Sequence, residues 1–163
     1  LTSGTYGLAG STYQTEIADF SRVTAYGTAG TGPSYFIVEG KDGLKYEYGN
    51  TADSKAYATG GPTPYAWLLN KVRDRQGNNL TVAYSTTSGD VQPSTIQYTQ
   101  TPATGTSYPY TVSFTYQTRI TNLSRYVAGG NIQQTKMLSK ISVLSAGTLV
   151  GQNEWFSLLM SQV

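Results

Sequence analysis

Residues 67–84 read Trp67-Leu68-Leu69-Asn70-Lys71-Val72-Arg73-Asp74-Arg75-Gln76-Gly77-Asn78-Asn79-Leu80-Thr81-Val82-Ala83-Tyr84. An apolar segment runs into a polar turn, and an alternating strand leaves it. Successive strand residues point to opposite faces, so Leu80, Val82 and Tyr84 share one side and Thr81 and Ala83 the other. Gly77 and Asn78 both tolerate the positive φ of a tight hairpin. The Asp74 carboxylate can accept backbone N–H groups two residues on and so start the turn. The stretch predicts a β-hairpin with a structural turn at Asp74, Gly77 and Asn78, and nothing in it points to an active site.

The same pattern extends upstream. Lys41-Asp42-Gly43 reads as a turn, after which Leu44, Tyr46 and Tyr48 alternate with Lys45 and Glu47. With a strand over 34–39, this predicts a second hairpin. Short strands are expected over 13–17 and 20–26, and residues 49–64, with Gly60-Gly61-Pro62 and Pro64, read as a long polar loop. Downstream, 85–93 reads as a Ser-Thr-Gly loop, 94–99 as a strand, 101–109 as a loop broken by Pro102 and Pro109, and 110–118 as the cleanest strand. Residues 120–135 look irregular, and a last hairpin turns at Ala146-Gly147. No long segment has helical periodicity. The expected fold is all-β: antiparallel hairpins forming a curved sheet, an open barrel or a β-sandwich of about ten strands. Residues 1–12 are a linker or weak first strand, and 13–163 a single β domain.

Leu69-Asn70-Lys71-Val72 and Leu138-Ser139-Lys140-Ile141 share the pattern Leu-x-Lys-[Val/Ile]. In each the apolar pair is three apart, which breaks the strand period; a β-bulge would return both side chains to one face. Chance similarity between amphipathic strands accounts for the echo equally well, since two copies are too few to define a repeat.

Composition narrows the function. The 163 residues suffice for one domain, and 11 basic against 9 acidic residues give a formal charge of only +2. Nucleic-acid or anionic-membrane binding usually needs a stronger basic excess or a cluster. Lys71, Arg73 and Arg75 alternate along a strand around Asp74 and read as a solvated face. The chain has no cysteine and no histidine, which removes disulfides, thiol nucleophiles, Cys/His zinc sites and Ser-His-Asp catalysis together. Absence of cysteine suits an exported protein, and 14 tyrosines with 18 glycines suit strands and turns. No apolar run approaches the ~20 residues of a membrane helix. A start at Leu1 reads as an excised domain, a processed product or a piece of a larger protein, any export signal lying outside it.

Three candidate sites stand beside bland readings. Asp42 with Glu47, or Asp74 with a partner across the sheet, could form a carboxylate pair at the roughly 5–10 Å of a glycosidase, but turns favour Asp at both positions. Asp74 and Asn78 could offer oxygens to calcium, which wants six to eight ligands; a turn cap explains both residues. Tyr57, Tyr65 and Trp67, with amide neighbours Asn70, Gln97 and Gln117, could stack on a sugar, although aromatic residues also pack in and over sheets. The expectation is no catalytic residue, no metal and no cofactor, with Asp42, Gly43, Asp74, Gly77 and Asn78 as structural turn residues.

The order of the motifs carries a resemblance. Phe36-Ile37-Val38 leads to Lys41-Asp42-Gly43-Leu44 and Tyr46-Glu47-Tyr48-Gly49; Trp67-Leu68-Leu69-Asn70-Lys71-Val72 leads to Asp74-x-x-Gly77-Asn78 and Val82-Ala83-Tyr84; Val112-Ser113-Phe114-Thr115-Tyr116 and Met137-Leu138-Ser139-Lys140-Ile141 follow. Taken together these resemble RHS/YD-repeat proteins, most closely the region ahead of the repeats in SpvB-type and insecticidal-toxin-complex B-type proteins. Asp-x-x-Gly-Asn occurs once, so this is not a run of repeats. The resemblance implies a non-catalytic structural β module of a large secreted or surface protein, contributing to or capping a β shell. The alternative expectation is a carbohydrate-binding or adhesive β-sandwich. Expected partners are neighbouring β modules of the same parent chain, with neither nucleic acid nor membrane insertion; the apolar segment 149–160 is expected to support self-association through sheet edges or to fold back over its own sheet.

Overall fold

The computed structural model describes residues 1–17, 19–105, 107–127 and 129–154. Of the apolar segment 149–160, residues 155–160 lie outside the described residues. Twelve strands follow one another: β1 (Thr12–Tyr13), β2 (Arg22–Tyr26), β3 (Tyr35–Glu39), β4 (Lys45–Tyr48), β5 (Lys55–Ala56), β6 (Ala66–Trp67), β7 (Leu69–Arg73), β8 (Asn79–Thr87), β9 (Asp90–Gln100), β10 (Tyr110–Val127), β11 (Gly130–Ser145) and β12 (Thr148–Glu154). Among the described residues there is no α-helix, and the sole helical turn is a 3-10 turn at Pro102–Thr104. Ten strands form one antiparallel sheet in the order β1-β2-β3-β4-β7-β8-β9-β10-β11-β12, which does not close into a barrel; β5 and β6 pair separately. Strand order follows chain order because consecutive sheet strands pair with each other, five of the nine connections being turns of two to five residues. At Ser88-Gly89 and Ala146-Gly147 both turn residues have positive φ (52° and 77°, 48° and 82°), the twist-matched two-residue loop.

The two Leu-x-Lys segments each carry a bulge, at equivalent residues. Glu47 pairs Lys71 but Tyr48 pairs Leu69, leaving Asn70 extra. Thr115 pairs Lys140 but Tyr116 pairs Leu138, leaving Ser139 extra. A third copy was hidden in the sequence: Ala83 pairs Thr95 but Tyr84 pairs Pro93, leaving Ser94 extra. Each bulge therefore faces a tyrosine on the neighbouring strand. Tyr84 Oη donates to the Leu69 carbonyl at 2.7 Å, and Tyr116 Oη to the Pro93 carbonyl at 2.8 Å. The tyrosine of one hairpin thus clasps the bulge of the hairpin before it.

Several boundaries differ from the sequence reading. The strand expected over 13–17 stops at Tyr13, and Thr15 Oγ1 instead donates to Asp19, whose carboxylate organises a turn. Residues 85–93 extend β8 and β9 rather than looping. The supposedly irregular 120–135 forms the outer half of the β10–β11 hairpin, with pairs from Leu123↔Gln134 to Val127↔Gly130. These stretches are Ser-, Thr- and Gln-rich on both faces, so they show no hydrophobic alternation, while Thr still suits a strand. Residues 1–12 dock on the sheet: Thr2 N–H donates to Thr12 O, Thr12 N–H to Ser3 O, and Ser11 is buried.

Cross-strand partners lie on the same face. One face carries the row Tyr13–Val23–Val38–Tyr46–Val72–Leu80, continued by Val82–Ile96–Val112–Val143. The other carries Thr12–Thr24–Ile37–Glu47–Lys71–Thr81–Gln97–Thr111. Every residue of both rows is half-buried. A two-layer fold would bury one row and expose the other, so the sheet is a single layer with an apolar and a polar face.

Full burial is confined to small regions. Among the described residues Ala25, Ala56, Ala58, Ile132 and the prolines Pro33 and Pro64 are buried. Ala56, Ala58, Pro64 and Ile132 lie where a strap, residues 49–68, crosses one end of the sheet. Asn50 N–H donates to Asn70 Oδ1, Tyr84 N–H to Asp53 Oδ2, Thr59 N–H to Asn131 O, and Tyr65 Oη to Gly89 O. The strap thereby ties the β8–β9 and β10–β11 tips to the start of β7.

Candidate functional site

The organising turn is built around one carboxylate. Asp74 Oδ1 accepts from the N–H groups of Gln76 and Asn78, both at 2.9 Å, and Oδ2 from Asn78 Nδ2 at 2.7 Å. The Asn78 amide and these backbone donors hold the Asp74 carboxyl below its usual range. Gly77 sits at φ +90°, and Asn78 is not in the positive-φ region. The neighbouring turn is made alike: Asp42 Oδ1 accepts Leu44 N–H, Oδ2 accepts Tyr46 Oη, and Gly43 sits at φ +81°. Arg75 lies against Gly43, so the two turns stand side by side. Three further carboxylates are engaged: Glu39 bridges Arg22 and Lys45, Glu47 accepts Asn50 Nδ2, and Asp53 accepts Tyr84 N–H. Asp74 and Asn78 face each other rather than converging on a shared point. Among the described residues no group of three or more His, Cys, Asp or Glu side chains could hold a metal ion.

Trp67, Tyr65 and Tyr57 do not form one platform. Trp67 stands edge-on to Phe36 at 5.0 Å and Tyr65 reaches Gly89, while no ring contact joins the three among the described residues. Trp67 instead closes a cleft of about 420 Å³ with Tyr6, Tyr13, Val23, Pro33 and Phe36. Tyr13 Oη accepts Gly7 N–H, and Trp67 Nε1 donates to the Pro33 and Ser34 carbonyls at 3.1 Å. The polar atoms of these rings are thus turned into the protein, and the cleft presents ring surface rather than the outward donors and acceptors that orient a sugar. A second cleft of about 490 Å³ lies beside it over Val23, Val38, Tyr46 and Tyr48, rimmed by Asp19 and Asp42. The Ser21 hydroxyl and N–H, with the Thr15 hydroxyl, lower the Asp19 carboxyl to about 2. Both clefts are floored by the apolar face of the sheet.

That face and the sheet's two edges are the surfaces most open to function. At the β1 edge, Ser3 bridges Thr12 and the N-terminal segment closes the sheet. At the other edge every residue of β12 is exposed, Leu149 and Val150 among them. Its sequence, Thr-Leu-Val-Gly-Gln-Asn-Glu, has neither the lysine nor the proline that usually guards an edge. The sequence reading missed the apolar row, which emerges only once registers are known.

No family model matches the chain, and no curated protein matches it. Solved structures do. The N-terminal domain of effector protein SpvB from Salmonella typhimurium strain LT2 superposes with TM-score 0.70 at 14% identity, over 82% of this chain and 57% of that one. The TcdB2-TccC3-Cdc42 crystal structure matches with TM-score 0.67 at 15% identity, over 83% of this chain and 9% of that one. TcdB2-TccC3 matches with TM-score 0.66 over the same share of this chain and 10% of that one. The chain therefore spans just over half of the SpvB domain and about a tenth of the TcdB2-TccC3 chains. Its fold is the one found in the SpvB N-terminal domain and within TcdB2-TccC3, the architecture implied by its resemblance to the region ahead of the repeats in SpvB-type and toxin-complex B-type proteins.

Proposed function

We propose that this chain is a non-catalytic structural β module of a large secreted or surface toxin-associated protein, contributing to or capping a β shell. The observation that carries this reading is the single-layer sheet, bridged at β1 by the N-terminal segment and, among the described residues, unpaired along the outer edge of β12. A catalytic or binding constellation needs side chains converging on rigid elements; here Asp42 and Asp74 cap turns, Glu39 forms ion pairs and Asp53 holds the strap. The fold likeness to a small part of TcdB2-TccC3 supports a module that works inside a longer chain. Its partners are then neighbouring β modules of the same parent.

Hydrogen exchange tests this. In the isolated chain the outward-facing amides of β12 exchange freely, and in the parent polypeptide they become protected. Unprotected β12 amides in the parent, or specific retention of this chain on a glycan array, would overturn the reading.

A further inference from the structure

We infer that the open half of the apolar face is a self-complementary interface, on which a second copy of this chain packs sheet to sheet. This rests on the module reading and names a partner for its uncovered face. The N-terminal segment overhangs the β1–β3 side, and the strap crosses the tips of the β8–β9 and β10–β11 hairpins, beyond the row that follows. The β8–β11 half carries Val82, Ile96, Val112, Phe114, Ile141 and Val143 in register, with no charged side chain among them. Beside them Tyr98 and Tyr110 stack at 5.4 Å, and Tyr110 is 39% exposed.

Area argues for a partner of this size. The chain exposes 10063 Å², whereas a compact monomer of its 17.6 kDa exposes about 7,900 Å². Allowing residues 155–163 the full surface of an unfolded chain, about 1,600 Å², and comparing with a correspondingly shorter compact chain, still leaves an excess of roughly 900 Å². A stable protein–protein interface buries about 800 Å² per partner. A pleated row of Val, Ile and Phe meets another such row at about 10 Å, the spacing of packed sheets. Two copies related by a two-fold axis supply the same patch to each other, and a net charge of +2 opposes their approach little.

The proposal is tested by sedimentation velocity across the micromolar range, with hydroxyl-radical footprinting of the same samples. The expected result is a concentration-dependent dimer in which Tyr98 and Phe114 lose reactivity as the dimer forms. Ile96→Lys, which would bury an unpaired charge, is expected to weaken it by roughly a hundredfold or more. Gln97→Lys, on the opposite face, is expected to leave it intact. A monomer at every concentration overturns the proposal, as does association that Ile96→Lys leaves unchanged. So does association abolished by Val150→Pro in β12, which means edge pairing, or by ending the chain after Glu154. If circular dichroism shows that Ile96→Lys does not fold, the wild-type footprint decides: protection of Tyr98 and Phe114 supports the interface, and unchanged reactivity overturns it. Failure of the dimer leaves the module reading to its own test, since β12 exchange in the parent does not depend on a second copy.

Discussion

The hydroxyl of Tyr84 donates to the main-chain carbonyl of Leu69 at 2.7 Å, across the pairing of β8 with β7. Leu69 is the residue at which the β7 register slips, so the bond fixes the bulge. Tyr116 does the same for Pro93. A net hydrogen bond of this kind contributes about 0.5–1.5 kcal/mol. Tyr84→Phe and Tyr116→Phe should each lower the unfolding free energy by that amount, read as a lower urea midpoint at unchanged m-value. Two variants as stable as the wild type would show that the bulges hold themselves.

The clasp should also limit alkaline stability. Burial raises the phenol of Tyr84, helped by Asp53 and Tyr48, and burial with Asp90 raises that of Tyr116. The fold thus favours the neutral phenols. Their contribution is complete below the unfolded pKa of about 10 and is lost as pH rises through the folded values. Melting temperature should fall above about pH 10, and less so in the Tyr84→Phe, Tyr116→Phe double variant. An equal fall in both proteins would place the alkaline lability elsewhere.

At the acid end Asp53 is the group to follow. Burial opposes its charge and is the largest single influence, but the Tyr84 N–H, Thr51 and Lys55 together hold its pKa below the usual carboxylate range. A depressed folded pKa means stability present above the unfolded value of about 3.9 and lost as pH falls through the folded one. Asp53→Ala should cost about 1–3 kcal/mol near neutrality by stranding the Tyr84 N–H, and should flatten the acid limb of a stability–pH curve. An acid limb as steep as in the wild type would remove Asp53 from the account.

Gly77→Val tests the organising turn. At φ +90° a β-branched residue is strained, and its Cβ would lie 3.0 Å from Pro102 Cγ. A loss of about 1–3 kcal/mol is expected, read by thermal or urea unfolding. No change would mean that the turn reorganises without strain.

Gly130→Val tests the strap. A Cβ there would meet Ala58 Cβ at 2.5 Å and Thr59 O at 3.0 Å. The strap must lift from the β10–β11 tip, and limited proteolysis should then cut within residues 57–64 well before the sheet unfolds. Simultaneous loss of strap and sheet would show that the two unfold as one unit.

The hairpins legible in the sequence were those with apolar alternation and a marked turn. Tyr46-Glu47-Tyr48 and Leu80-Thr81-Val82 announced their faces, and Asp42-Gly43 and Asp74-x-x-Gly77 announced their turns. The spacing of Leu69 from Val72 and of Leu138 from Ile141 marked the places where bulges occur. The copy at Pro93-Ser94-Thr95-Ile96 stayed hidden because proline stands where the others have leucine. The β8–β9 tip was read as a loop because its Ser and Thr residues carry no apolar signal. The strap could not be seen, since its bonds join Asp53 to Tyr84 and Thr59 to Asn131, far apart along the chain.

That same strap sets an order of events in folding. Elsewhere in the sheet each strand pairs with a near neighbour in the chain, so hairpins can form as the polypeptide emerges, one laid on the last. Ala58 and Thr59 cannot settle until Gly130 and Asn131 have been made, some seventy residues later. During synthesis the strap therefore waits over an incomplete sheet, and its docking marks the moment at which the β10–β11 hairpin has arrived and the growing structure can lock.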